Sequence, residues 1–173
     1  MSGKQCGVGK FLNSVGATSG SQCAACPAGQ SSNTLGQAIC AACPKGTFSN
    51  TEGSQACSIC GVGKYNDNEG SPSCSNCPQG KANEHDNSNK DNHDNEGDCG
   101  ACPTGKYQSN VGQSGCTSCG PGTFADQAAS SVCKKCSIGT SNSNTGSTLA
   151  SACNDCPAAT YQGEEGKGKP LNY

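Results

Sequence analysis

Aromatic side chains in this chain recur at one point of a fixed cycle. Phe11, Phe48, Tyr65, Tyr107, Phe124 and Tyr161 are six of its seven rings, and each lies five residues after a cysteine. The stretches between them are Gly, Ser, Asn and Gln, with no 3.6-residue recurrence of apolar positions, so no substantial helix is predicted. The pattern predicts coil and turn, with two-residue strands such as Lys64-Tyr65 and Lys106-Tyr107 pairing into small ribbons. A ring at one fixed point per cycle reads as the small core of its own repeat, packed on neighbouring cysteine sulfur.

The cycle is clearest from Cys43-Pro44-Lys45-Gly46-Thr47-Phe48 through Gly53 to Cys57-Ser58-Ile59-Cys60, and it returns with a 17-residue period. Repeats open at Cys6, Cys26, Cys43, Cys60, Cys77, Cys102, Cys119, Cys136 and Cys156. A Gly stands three residues later in eight of the nine, Ala159 being the exception, which reads as a tight turn with positive φ. A second Gly recurs ten residues after the opening Cys, where Ala129 and the Cys77 repeat depart. Self-similarity of this kind predicts an elongated solenoid or rod of small disulfide-rich units rather than one globular core. Residues 81–98 break the period with a run rich in Asn that holds both histidines and six of the 13 acidic residues. They read as a solvated loop extruded from one repeat. The expected divisions are repeats over 1–80, the insertion 81–98, repeats over 99–155, and an incomplete repeat and tail over 156–173.

Composition explains why cross-links are needed. Leu, Ile, Val and Phe number 15 of 173 residues, too few for an ordinary core, while the net charge of −2 gives no repulsion to hold the chain open. The 17 cysteines substitute for the missing core, and disulfides in that number imply an oxidising, extracellular or cell-surface location. Met1-Ser2-Gly3-Lys4-Gln5 has no apolar signal region, and no run of 18 apolar residues encodes a membrane span. All 11 basic residues are Lys, without the Arg that base and phosphate recognition favours, so nucleic acid is not an expected partner.

The Cys-x-x-Cys pairs admit several chemistries. In a disulfide ladder each opening Cys pairs with the first Cys of the next pair, giving Cys6–Cys23, Cys26–Cys40, Cys43–Cys57, Cys60–Cys74, Cys77–Cys99, Cys102–Cys116, Cys119–Cys133 and Cys136–Cys153. A staggered first-to-first, second-to-second pairing stays open, because spacing does not fix connectivity. Zinc is the second reading, since Cys57-Ser58-Ile59-Cys60-Gly61 and Cys116-Thr117-Ser118-Cys119-Gly120 resemble zinc knuckles. A chain in which every repeat is linked to the next argues against the one or two sites of a zinc ribbon. Thiol–disulfide catalysis needs a helix N-terminus to activate a thiol, which this pattern lacks, and metallothionein-like storage expects denser cysteine. The ladder leaves Cys156 unpaired, as the start of a repeat missing its closing Cys or as an intermolecular link.

Cys43-Pro44-Lys45-Gly46-Thr47-Phe48 to Cys60 and Cys102-Pro103-Thr104-Gly105-Lys106-Tyr107 to Cys119 resemble the ephrin-receptor-like cysteine-rich repeat. They are also similar to the first module of tumour-necrosis-factor-receptor cysteine-rich domains, and the Asn, Gln and Ser content to repeat surface antigens of ciliates. The resemblance covers residues 6–161 and implies an extended, disulfide-linked rod.

The remaining candidates are few. Asp86, Asp91, Asp94, Glu96 and Asp98, with His93 and Asn95, offer ligands to calcium, but the spacing is not that of an EF-hand and a solvated loop is the simpler reading. His85 and His93 alone make a poor zinc pair. No Asn-x-Ser/Thr sequon occurs, although many Ser and Thr suit O-linked sugars. No nucleophile–base pair, phosphate loop or cofactor motif is present, so neither an enzyme nor a cofactor is expected. The sequence reads as an extracellular structural or adhesive protein, a segment of a coat, appendage or filament whose partners include copies of itself. The alternatives are a protein-binding ectodomain of a receptor or surface antigen, and a cytosolic zinc protein.

Overall fold

The computed structural model describes residues 5–12, 23–158 and 160–172. Its regular structure is a set of two-stranded antiparallel ribbons, nine among the described residues. Each ribbon but the last, Thr160–Tyr161 with Leu171–Asn172, pairs the residues four and five after an opening Cys with the two residues inside the next Cys-x-x-Cys. Thr47 faces Ile59 and Phe48 faces Ser58, and Lys106–Tyr107 pairs in the same way with Thr117–Ser118. The first ribbon is a residue longer, Lys10–Leu12 against Cys23–Ala25. Short 3₁₀ turns at Lys90–Asn92, Glu96–Asp98 and Ala150–Ala152 are the helical content among the described residues.

The strands are short because the backbone groups on either side of them are committed to the next repeat. Gly46 N–H donates to Asn66 O at 2.8 Å, and Ser49 N–H to Ser71 O at 3.3 Å. Two residues between these positions are all that remain for the ribbon.

The backbone pattern divides the chain into two compact units, Met1–Ser75 with His85–Asp98, and Asn76–Glu84 with Cys99–Tyr173. Within the first, the opening Cys43 donates its N–H to Gly29 O at 2.8 Å, and Gly53 N–H donates to Cys26 O at 2.8 Å. Within the second, Cys119 N–H donates to Gly105 O at 2.9 Å and Gly146 N–H to Cys119 O at 2.7 Å. Within each unit these repeats are thus tied to their successors through backbone groups that any residue supplies, so the array tolerates wide sequence variation between cysteines.

Gly46 shows why the third position is glycine. Its φ is +76°, and an ideal Cβ there would lie 2.2 Å from the carbonyl oxygen of Lys90. The counterpart turn ten residues into a repeat is also left-handed, and Ala129 takes that conformation, with φ of 57°, where other repeats have Gly. Its carbonyl closes on Gly80 as the glycine carbonyls do elsewhere. The departure is therefore in residue and not in conformation, at a strain cost of about 1 kcal/mol. Ala129→Gly should raise stability by about 0.5 kcal/mol, read as a higher urea midpoint; a fall would show that the alanine side chain itself stabilises the turn.

The insertion differs from the extruded loop expected of it. Residues 84–91 are exposed, as a polar loop should be, but the segment then returns into the first unit. Lys90 O occupies the space against Gly46, and His93 O accepts the Asn66 N–H at 2.8 Å. These are the positions that regular repeats fill with the carbonyls of the tenth and eleventh residues. The array needs both, and the insertion supplies them from a 3₁₀ turn capped by Asn89, whose side chain accepts from Asp91 N–H at 3.0 Å.

Candidate functional site

The site with the most chemistry in it is the set of cystines. Eight disulfides join Cys6 to Cys23, Cys26 to Cys40, Cys43 to Cys57, Cys60 to Cys74, Cys77 to Cys99, Cys102 to Cys116, Cys119 to Cys133 and Cys136 to Cys153, with Cα–Cα separations of 5.5–5.9 Å. Sulfur held this way is not available as thiolate, which removes the zinc reading of these pairs. The opening cysteine of each bridge is completely or almost completely buried. In a chain with so few aliphatic side chains these cystines are the apolar interior.

The rings are for the most part less buried than the opening cysteines. Phe124 is buried, Phe11, Phe48, Tyr65 and Tyr107 are half-buried, and Tyr161 is 42% exposed. Most of the interior's polar occupants sit six residues after the opening Cys: Ser32, Ser49, Asn66, Asn83, Gln108, Asn142 and Gln162 are all buried. Asn66 Nδ2 donates to Thr47 O at 2.6 Å, while its Oδ1 accepts from Asn68 N–H at 3.2 Å. Gln108 donates to Gly115 O at 2.6 Å and accepts from Asn110 N–H at 3.1 Å. A buried amide with both ends satisfied fixes its repeat without an unpaired group. The recurrence is visible in the sequence, where seven of nine repeats carry Ser, Asn or Gln at that point.

Cys156 is the free cysteine among the described residues, and it is half-buried. Its repeat is nonetheless closed. Thr160 faces Asn172 and Tyr161 faces Leu171, the register that Thr47 and Phe48 adopt with Ile59 and Ser58. In that register Pro170 stands where Cys57 stands in the Cys43 repeat.

The acidic residues of the insertion are not brought together. Asp86 Oδ1 accepts from the Ser88 hydroxyl and backbone at 2.5 and 3.2 Å, and those hydrogen bonds hold its carboxyl below the usual aspartate range. Asp91 pairs with Lys90, Asp94 accepts from Asn95 Nδ2, and Asp98 Oδ2 accepts from Asn95 N–H. Glu96 also has a partner. Among the described residues no three His, Cys, Asp or Glu side chains converge on a point that would hold a metal ion. His93, the larger of the fully buried side chains, has both ring nitrogens on backbone carbonyls. Elsewhere Lys134 Nζ spans the Asp126 carboxylate at 2.8 and 2.9 Å and lowers its pKa, a partly exposed pair that contributes little to stability.

Residues 46–94 and 92–131 each match a protein family described as tyrosine-protein kinase ephrin type A/B receptor-like. These are ephrin-receptor-like cysteine-rich repeats. No curated protein matches the chain. The second matched segment contains the complete Cys102 repeat with its bridge to Cys116, and most of the Cys119 repeat up to two residues before its closing Cys133. The first runs from the Gly46 turn into the insertion, ending one residue after His93. Ephrin-receptor-like repeats with this density of disulfides belong to extracellular, receptor-like or structural modules. No helix of the described residues is long and apolar enough to cross a membrane.

Proposed function

We propose that the chain is an extracellular structural or adhesive protein, a segment of a surface coat, appendage or filament whose disulfide ladder replaces a hydrophobic core. The observation that carries this reading is the uniform link between repeats. Gly29 to Ser49 and Gly122 to Asn142, in different units, are the same hydrogen bond at 2.7 Å. A link made from backbone and repeated within both units suits a scaffold that carries load or spacing and has no catalytic step to perform. Its partners are then other proteins, copies of the chain among them. Exposed hydroxyls such as Thr51, Ser143 and Thr145 are open to O-linked sugars.

The family match favours a second reading, a protein-binding ectodomain of a receptor or surface antigen. Purified, fully oxidised protein separates the two. Ordered fibres by negative-stain microscopy, with a concentration-dependent sedimentation coefficient, are expected for the structural reading. A monomer at all concentrations would overturn it in favour of the ectodomain.

A further inference from the structure

His93 is a fully buried titratable side chain that the scaffold reading leaves without a purpose. Its Nδ1 lies 2.9 Å from Lys64 O and its Nε2 lies 2.9 Å from Asp86 O. Both partners are backbone carbonyls, which only accept. A neutral imidazole carries one N–H and one lone pair, so it donates to one carbonyl and turns a lone pair toward the other. Imidazolium carries two N–H groups and donates to both.

We propose that His93 is a proton-operated latch that holds the insertion closed against the Cys60 repeat at acid pH and loosens it at neutral pH. The ring bridges the two sides of the joint: Lys64 belongs to a ribbon strand, and Asp86 to the exposed arm of the insertion. On the same joint His93 O receives Asn66 N–H, and Lys90, three residues earlier, fills the Gly46 notch. Losing one ring hydrogen bond therefore loosens a segment that completes two positions of the array.

The titratable groups on the elements around the ring are Lys64 and Tyr65 on the strand, His85 and Asp86 on the arm, and Lys90, Asp91 and Asp94 beside it. Asp86 is the anion that acts electrostatically on both histidines, and its lowered pKa keeps it ionised across the range in which imidazole titrates. Lys90 and Asp91 neutralise each other. His85, the other histidine, is exposed and so is the necessary control.

Hydrogen–deuterium exchange of residues 84–94, corrected for the intrinsic effect of pH, tests the latch on the whole oxidised protein. Opening at pH 7.5 is expected to exceed opening at pH 5.5 by about tenfold, the effect of one charge-assisted hydrogen bond. His93→Gln, whose amide keeps one donor and one acceptor at every pH, should remove that dependence, and His85→Gln should retain it. Equal opening of the wild type at both pH values, or an unchanged dependence in His93→Gln, would overturn the proposal. Should His93→Gln not fold, ring ¹⁵N shifts of the wild type decide. Two protonated nitrogens at pH 5.5 support the latch, and a single neutral tautomer there sinks it.

Discussion

Gly46→Ala is expected to lower the stability of the oxidised protein by about 3–5 kcal/mol, a value in the range reserved for core disruption. Two costs combine. The φ of +76° charges any L side chain about 1 kcal/mol. The Cβ would also fall 2.2 Å from Lys90 O and 2.9 Å from Lys90 C, both backbone atoms that cannot rotate away. Relief requires separating the Cys43 repeat from the turn that completes the insertion. Gly139 supplies the comparison, because its φ is +84° but nothing among the described residues lies within 4 Å of its Cβ position. Gly139→Ala should therefore cost about 1 kcal/mol, the conformational part alone. Urea midpoints of the two variants with disulfides intact measure the difference. Equal losses would mean that left-handed geometry, not close approach of a later repeat, is what the glycine serves.

That comparison also marks how far the sequence could be read. The Cys-x-x-Cys spacing and the glycine three residues later made the repeat and its two-residue strands legible, because each is a covalent or steric requirement that leaves a fixed residue type behind. The partner of that glycine was not legible. A carbonyl oxygen fills the notch, and every residue has one, so Gly53, Lys90 and Ala129 serve alike with no shared side chain. The insertion was misread for the same reason: its composition is that of a solvated loop, yet Lys90 and His93 join the array through backbone oxygen. The buried Ser, Asn and Gln six residues after each opening Cys were visible as a recurrence. In a chain already rich in those residues, the recurrence carried little contrast until burial separated it from the surface.

Pro170→Cys is expected to create a ninth disulfide with Cys156 and to raise stability by up to about 3 kcal/mol, the value for closing a loop of about 15 residues. The geometry is already in place. The ribbon Thr160–Tyr161 with Leu171–Asn172 fixes positions 156 and 170 as Thr47–Phe48 with Ser58–Ile59 fixes Cys43 and Cys57, whose Cα atoms are 5.6 Å apart. The same repeat already makes its links backward, Cys156 N–H to Gly139 O and Gly166 N–H to Cys136 O, both at 3.0 Å. Its amide is seated as well, with Gln162 Nε2 donating to Lys169 O at 2.7 Å as Gln108 does to Gly115. A bridge added to a hairpin that already holds its native register should introduce little strain, so most of the loop entropy should appear as stability. Proline at this point costs no ladder hydrogen bond, since the strand begins one residue later at Leu171. Thiol titration in denaturant should fall from one group per chain to none, with a raised melting temperature. Two titratable thiols after oxidation would show that position 170 does not occupy the closing site.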